Sequence, residues 1–251
     1  MSDSESRRVA VVTGAARGIG RACAILLARS GLAVALLDRR AEALHGLAAE
    51  LSAAGQTAVA ITLDLSDADE IEALPARVHE VLGPVDVLVH CAGVILPHGF
   101  AESTPEQWDA MMAVNLRAVF LVSRVLLADL KAQRGTIVTI ASTAGLHPQF
   151  MNGPYCVAKA GVVMLSRALA QELLPDGVRV NCVCPGGVDT PLIHEYAVAR
   201  GQPESIQQLR TSGFLSEPEE IAAAVLWLVG EGARAVTGQV LAVDHGALLG
   251  S

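Results

Sequence analysis

Tyr155 and Lys159 stand four residues apart in Tyr155-Cys156-Val157-Ala158-Lys159, which puts a phenol and an ammonium one turn apart on the same face of a helix. A tyrosine with an ordinary pKa of about 10 is phenolate in only about one molecule in a thousand at neutral pH, and a neighbouring cation favours the charged form. Such a pair can exchange a proton with an alcohol oxygen. Composition sharpens the signal, because the chain has two tyrosines and its two lysines are Lys131 and Lys159. Ser142 lies 13 residues before Tyr155, after a β-branched run, where its hydroxyl can donate to a carbonyl or alkoxide. G-x-S-x-G is missing and no ordered Asp and His partners stand out, so a serine hydrolase is set aside. Asn115 sits among apolar neighbours in a helical run, where a buried amide needs partners; it can kink the helix or hold a water.

A second constellation opens the chain. The run Val9–Thr13 leads into Thr13-Gly14-Ala15-Ala16-Arg17-Gly18-Ile19-Gly20 and then an amphipathic helix. Bare glycines at 14, 18 and 20 let the backbone turn tightly and admit a pyrophosphate against the helix N-terminus, Arg17 and Ile19 lying in the same turn. Asp38 ends the second β-like run 18 residues after Gly20, where a carboxylate can accept from ribose hydroxyls and repel a 2′-phosphate. NAD is therefore the expected cofactor; Arg17 and Arg39 keep NADP as the minority reading. Asp64 and Leu65 close the third run and can meet an adenine edge, although a turn Asp explains the carboxylate as well. Ala92 and Gly93 are small enough for backbone to run beside a flat ligand, and tight packing explains them equally.

The elements that must position these groups alternate. β-like runs at Val9–Thr13, Ala33–Asp38, Ala58–Asp64, Val85–Cys91, Thr136–Ala141, Val178–Cys184 and Gln239–Val243 are uninterrupted apolar stretches, as a parallel sheet covered on both faces requires. Helical patterns lie between them, at Ile19–Ser30, Ala41–Ala53, Asp67–Leu82, Gly153–Leu174 and Pro203–Arg210, with helix starts at Thr104-Pro105-Glu106-Gln107 and Ser216-Glu217-Pro218-Glu219. The expectation is an α/β fold with a doubly wound parallel sheet of about seven strands and helices on both faces. Residues 1–8 read as a loose terminus and 9–251 as a single domain.

Over 251 residues, 52% apolar content, 18% charge and a net charge of −8 exclude disorder and disfavour nucleic acid or an anionic membrane surface as partner. No apolar run spans a bilayer, and five cysteines without a C-x-x-C pair or signal peptide suit a reducing cytoplasm. No metal ligand set is found.

Taken jointly, Thr13 to Gly20, Asn115, Ser142, the Tyr155–Lys159 pair and Pro185-Gly186-Gly187-Val188-Asp189-Thr190 resemble the short-chain dehydrogenase/reductase family, over Arg8 to Gly246. The resemblance implies a Rossmann-like oxidoreductase. In it Tyr155 is the acid/base, Lys159 holds the nicotinamide ribose and lowers the tyrosine pKa, Ser142 positions the substrate oxygen, and Asn115 supports a relay water. Pro185, Gly186, Val188 and Thr190 then contact the nicotinamide half. It also implies a homotetramer; the apolar stretches 153–174 and 240–249 suit contact surfaces, and core packing explains them equally. Two departures stand out: His90-Cys91-Ala92-Gly93 replaces the family's usual Asn-Asn-Ala-Gly, losing an amide that braces the sheet, and Asp244-His245-Gly246 replaces Asp-Gly-Gly.

Substrate contacts are expected from 146–154 and from 189–213, the latter read as a flap that closes over a small alcohol or ketone. Phe150, Met151, Leu192, Ile193 and Tyr196 offer apolar surface, and His147, Gln149 and Asn152 polar contacts beside Gly187, Ser142 and Tyr155. The reading is an NAD-dependent oxidoreductase of secondary alcohols; the rivals are an NADP-linked 3-ketoacyl-type reductase and a non-catalytic dinucleotide-binding regulator.

Overall fold

The computed structural model describes residues 7–250. Positions 1–6 of the expected loose terminus lie outside the described residues, and the Arg8 carbonyl is already engaged, accepting from Ala33 N–H at 2.9 Å. The strands are β1 (Val9–Thr13), β2 (Ala33–Asp38), β3 (Ala58–Thr62), β4 (Val87–His90), β5 (Thr136–Ile140), β6 (Arg179–Pro185), β7 (Gly187–Val188), β8 (Leu215–Ser216) and β9 (Val240–Val243). Seven form one parallel sheet in the order β3-β2-β1-β4-β5-β6-β9, and β7 pairs with β8 apart from it. Its register sets Thr13 opposite both Leu37 and His90, so the ends of β1, β2 and β4 open at one edge.

The helices are α1 (Gly18–Arg29), α2 (Ala41–Ala53), α3 (Ala68–Glu72), α4 (Leu74–Val81), α5 (Pro105–Met112), α6 (Ala118–Val125), α7 (Leu127–Ala132), α8 (Gly153–Glu172), α9 (Pro191–Ala199), α10 (Glu204–Thr211) and α11 (Pro218–Val229). Alternate residues of β1 serve opposite faces. Ala10 and Val12 pack with Leu27 of α1, Leu44 of α2 and Val225 of α11, while Val9 and Val11 pack with Val78 of α4, Val122 of α6 and Leu130 of α7. A fully buried Leu or Val contributes about 1.5–3 kcal/mol, so two dry faces hold a sheet that aromatics hardly touch. No helix among the described residues is long and apolar enough to cross a membrane.

Several local expectations change in detail. The helix expected over Asp67–Leu82 is two helices meeting at Ala73, because Pro75, in the first turn of α4, lacks the N–H that would continue the ladder. Thr104 and Gln107 form a reciprocal capping box on α5, with Gln107 N–H to Thr104 Oγ1 at 3.3 Å and Thr104 N–H to Gln107 Oε1 at 3.0 Å. Before α11 the cap is Glu217, one residue later than the sequence pattern indicates: Ser216 belongs to β8, and Glu220 accepts from Glu217 N–H at 2.7 Å.

Candidate active site

A cleft opens at the carboxyl ends of the strands where the sheet order reverses, between β1 and β4. Two adjoining cavities share Ile19, Cys91, Gly93, Thr190 and Leu192.

The first, of about 860 Å3, lies over the turn between β1 and α1. Gly14 has φ +69°, and a Cβ there would meet the Ala92 backbone at 2.8 Å. Gly18 has φ +54°, and a Cβ there would press on the Thr190 side chain at 3.1 Å. Gly14 requires glycine on both steric and conformational grounds, and Gly18 on conformational ones. Arg17, the N-cap residue of α1, gives the helix no side-chain cap, so its first N–H groups remain available to an anion. Gly14, Arg17, Gly18, Ile19, Gly20, Asp38, Asp64, Leu65, Ala92, Gly93 and Thr190 all line this cavity. Such a cradle fits a dinucleotide pyrophosphate, and Asp38 lines the same cavity.

Asp38 is buried, and its carboxylate accepts from Ala16 N–H at 3.3 Å, Arg40 N–H at 3.0 Å and the Arg40 guanidinium at 3.3 Å. Asp64 is committed locally, accepting from Ser66 N–H and Oγ–H at 2.8 and 2.7 Å, which holds its carboxyl below the usual range. Arg17 is gripped by both carboxylate oxygens of Glu195 on α9, one at 2.9 Å. That contact raises the guanidinium pKa and lowers that of Glu195.

The second cavity, of about 1120 Å3, brings together Ser142, Asn152, Tyr155, Lys159, Pro185, Gly186, Gly187, Val188, Leu192, Ile193 and Tyr196. Gly145 lets the turn after β5 lie against α8: a Cβ there would sit 2.7 Å from the Lys159 carbonyl carbon. Lys159 is buried, donates to the Ile140 carbonyl at 3.0 Å and lies 5.7 Å from the centroid of the Tyr155 ring. Burial pulls the ammonium down to about 8 and pushes the Tyr155 phenol up to about 12, against a Ser142 hydrogen bond that favours the phenolate. The expected lowering of the tyrosine pKa by Lys159 is not found in the free protein: loss of water around a phenolate sets the direction, and the opposing contribution comes from Ser142.

Asn115 lies behind the cavities, fully buried in a π-helical turn at Ala113–Arg117 between α5 and α6. Its Nδ2 donates to the Met111 and Val94 carbonyls at 3.0 and 2.9 Å, and its Oδ1 accepts from Val94 N–H at 3.2 Å. Asn115 thus bonds its own i−4 carbonyl within the π-helical turn. At the end of β4, where Cys91 brings no amide, Thr13 Oγ1 accepts from Cys91 and Ala92 N–H at 3.1 and 3.2 Å. His147 and Phe150 are exposed, Phe150 by 88%, and neither they nor Met151 line either cavity. Lining residues not singled out from sequence include Ile95, Ser205, Ile206 and Leu209. The last three come from α10, whose amphipathic pattern was the available signal.

The cleft thus joins a glycine turn to a Ser-Tyr-Lys group, and comparison with known proteins gives the family. The family model described as enoyl-(acyl carrier protein) reductase matches residues 14–247. The 2,5-dichloro-2,5-cyclohexadiene-1,4-diol dehydrogenase LinX of Sphingobium indicum is 36% identical, covering 100% of both chains. The 2,3-dihydro-2,3-dihydroxybenzoate dehydrogenase of Bacillus subtilis is 35% identical over 97% of each chain. A solved actinorhodin polyketide ketoreductase, with NADPH, is 38% identical, covers 98% of each chain and superimposes with a TM-score of 0.87. The chain belongs to the short-chain dehydrogenase/reductase family of oxidoreductases.

Proposed function

We propose that this protein is an NAD-dependent dehydrogenase that interconverts a secondary alcohol and a ketone, with Tyr155 as its acid/base. The observation that carries the reading is the grouping of Ser142, Tyr155 and Lys159 in a cavity that adjoins the glycine cradle. When bound, the nicotinamide supplies the hydride acceptor, so that alcohol and NAD give ketone, NADH and a proton. The cradle of Gly14, Arg17, Gly18, Ile19 and Gly20 would hold the pyrophosphate, Asp38 the adenosine ribose, and Asp64, Leu65, Ala92 and Gly93 the adenine side. Pro185, Gly186, Val188, Thr190 and Lys159 would border the nicotinamide.

Ser142 Oγ and the Tyr155 hydroxyl together orient the reacting oxygen. Burial keeps the phenol protonated, ready to donate to a carbonyl oxygen; in the oxidative direction it must first release that proton to solvent, and the phenolate, favoured by the Ser142 hydrogen bond and with the Lys159 ammonium 5.7 Å from the ring centroid, then takes the alcohol proton. Asn115 supports the arrangement from behind, through the loop at Val94.

The preference for NAD is supported by the buried carboxylate of Asp38 and by the commitment of Arg17 to Glu195 and of Arg40 to Asp38. Arg39 in the same cavity, and NADPH in the ketoreductase neighbour, favour the rival reading, an NADP-linked 3-ketoacyl-type reductase. The names of the ring-diol and dihydrodiol dehydrogenases among the relatives support a hydroxylated six-membered ring as substrate. Residues 9–251 act as one domain with 189–213 as a substrate flap, and the exposed apolar side chains Phe120, Val157 and Met164 suit contacts in a cytoplasmic homotetramer.

Nicotinamide absorbance, followed with NAD and NADP over cyclic, aryl and polyol alcohols and 3-hydroxyacyl thioesters, tests the reading. Turnover of a cyclic alcohol with NAD, lost about 10²–10⁴-fold in Tyr155→Phe, is expected. Turnover only with NADP and thioesters assigns the rival, and nucleotide binding without any turnover assigns a regulator.

A further inference from the structure

Helix α9 forms a wall of both cavities. Thr190, its N-cap residue, and Leu192 line the first and the second alike, while Ile193, Tyr196 and Ala197 line the second alone. Most of the polar contacts around α9 tie its own segment together. Strand β7 pairs with β8 apart from the large sheet, and Asp189 meets His194 Nε2 at 2.6 Å and accepts from the Arg210 guanidinium. Among the described residues, α9 makes one side-chain hydrogen-bonded contact outside 187–216. The two carboxylate oxygens of Glu195 accept from Arg17 Nη1 and Nη2, the second at 2.9 Å. Just past the helix, Arg200 Nη1 reaches the Met151 carbonyl only at 3.5 Å, the limit of a hydrogen bond.

Arg17 is the N-cap residue of α1 and lines the first cavity, so this ion pair runs from the glycine turn to the helix that walls the second. Beside it, Thr190 approaches so closely that a Cβ on Gly18 would stand 3.1 Å from its side chain. A two-pronged Arg–carboxylate contact fixes orientation as well as distance. Arg40, the other cation near Glu195, is committed to Asp38 at 3.3 Å. Glu195 itself lines neither cavity. We propose, resting on the dehydrogenase reading above, that Glu195 is a positioning residue: gripped by Arg17, it sets α9 against the glycine turn and thereby places the substrate wall at Leu192, Ile193 and Tyr196 relative to Ser142 and Tyr155. It acts on substrate binding through α9 and leaves proton transfer at Tyr155 unaltered.

Glu195→Gln keeps the size of the side chain and removes its charge. At saturating NAD, with the best-oxidised alcohol of the panel above, its KM is expected to rise about fivefold while kcat stays within about twofold. Glu195 is 58% exposed in its side chain, so salt reaches the pair. Raising ionic strength from about 0.05 to about 0.5 M is expected to bring the wild-type KM towards that of the variant and to leave the variant unmoved. This arm uses the unaltered protein and stands if a variant fails to fold. Arg17→Gln is expected to raise KM likewise, and the double variant to add less than about twofold more. Hydrogen exchange over residues 191–199, read by mass spectrometry with and without NADH, is expected to be about fivefold faster in Glu195→Gln, with β1 and β5 unchanged. An unchanged KM, a kcat that falls as far as KM rises, unchanged exchange over 191–199, or full additivity of the two substitutions overturns the assignment and leaves the dehydrogenase reading intact. A wild type that oxidises no alcohol with either nucleotide overturns the dehydrogenase reading, and the role of Glu195 with it.

Discussion

Replacing Lys159 by methionine is expected to stabilise the free protein at neutral pH while removing its activity. The ammonium is 4% exposed, and its pKa falls from 10.5 to about 8 through desolvation. That depression corresponds to about 3 kcal/mol of unfavourable burial whenever the lysine is charged in both folded and unfolded states. Against it stands the bond to the Ile140 carbonyl at 3.0 Å, whose loss costs about 1 kcal/mol. Methionine fills a similar apolar volume, so the net gain is about 2 kcal/mol, or roughly 5 °C in Tm for a chain of this size. The sign with pH follows from the lowered pKa. Below pH 8 the penalty is complete; between about 8 and 10.5 the unfolded state binds more protons, so wild-type stability rises and the advantage of methionine shrinks. Thermal unfolding without nucleotide, at about pH 6.5 and about pH 9.5, measures both effects. A methionine variant less stable than wild type at the lower pH, or an advantage identical at both, would refute the claim that this ammonium is held against its own desolvation.

Other perturbations probe the rest of the cleft. Gly14→Ala puts a side chain on a residue at φ +69° and a Cβ 2.8 Å from the Ala92 backbone; a stability loss of about 1–3 kcal/mol and at least about tenfold weaker NAD binding by fluorescence titration are expected, and unaltered binding would show that the turn is no cradle. Glu195→Gln frees Arg17, so the NADP-to-NAD ratio in kcat/KM should rise about tenfold with less than about 1 kcal/mol change in stability; a constant ratio removes Glu195 from cofactor choice. His90 is buried against Ser123 Oγ at 3.0 Å with its pKa lowered from 6.5 to about 3 by burial, so stability falls as pH drops through that window. His90→Asn should flatten this loss in urea midpoints taken at about pH 7 and about pH 4, and an unchanged slope would assign the acid loss elsewhere.

Much of the cleft was legible because it is built from short-range geometry. The run 9–13 and the glycines after it specify a strand, a turn and a helix N-terminus within 20 residues, and Tyr155 and Lys159 share a face of α8 by spacing alone. The opposite wall was less legible. Helix α9 was read only as part of a flap, although Pro191 offered a first-turn proline; Thr190 at its N-cap makes no side-chain cap bond. Strands β7 and β8 are two residues each, too short to carry any periodicity. His147 and Phe150 were counted as cavity residues from their place in the chain, yet the turn after β5 leaves both exposed.

By itself the sequence determined what repeats or spacing can encode: a parallel sheet from uninterrupted apolar runs, the glycine turn, the carboxylate at the end of β2, and the phenol–ammonium pair. Tertiary structure alone decided which groups lose water and which distant groups meet. Arg17 finds Glu195 across 178 positions, Asn152 is left with a bare oxygen, and burial turns the tyrosine pKa in the opposite direction to the one its lysine neighbour implied. The physical reason is common to all three. Solvation and through-space contact are properties of the closed cleft, assembled from strands and helices far apart in the chain, and no local pattern of residues contains them.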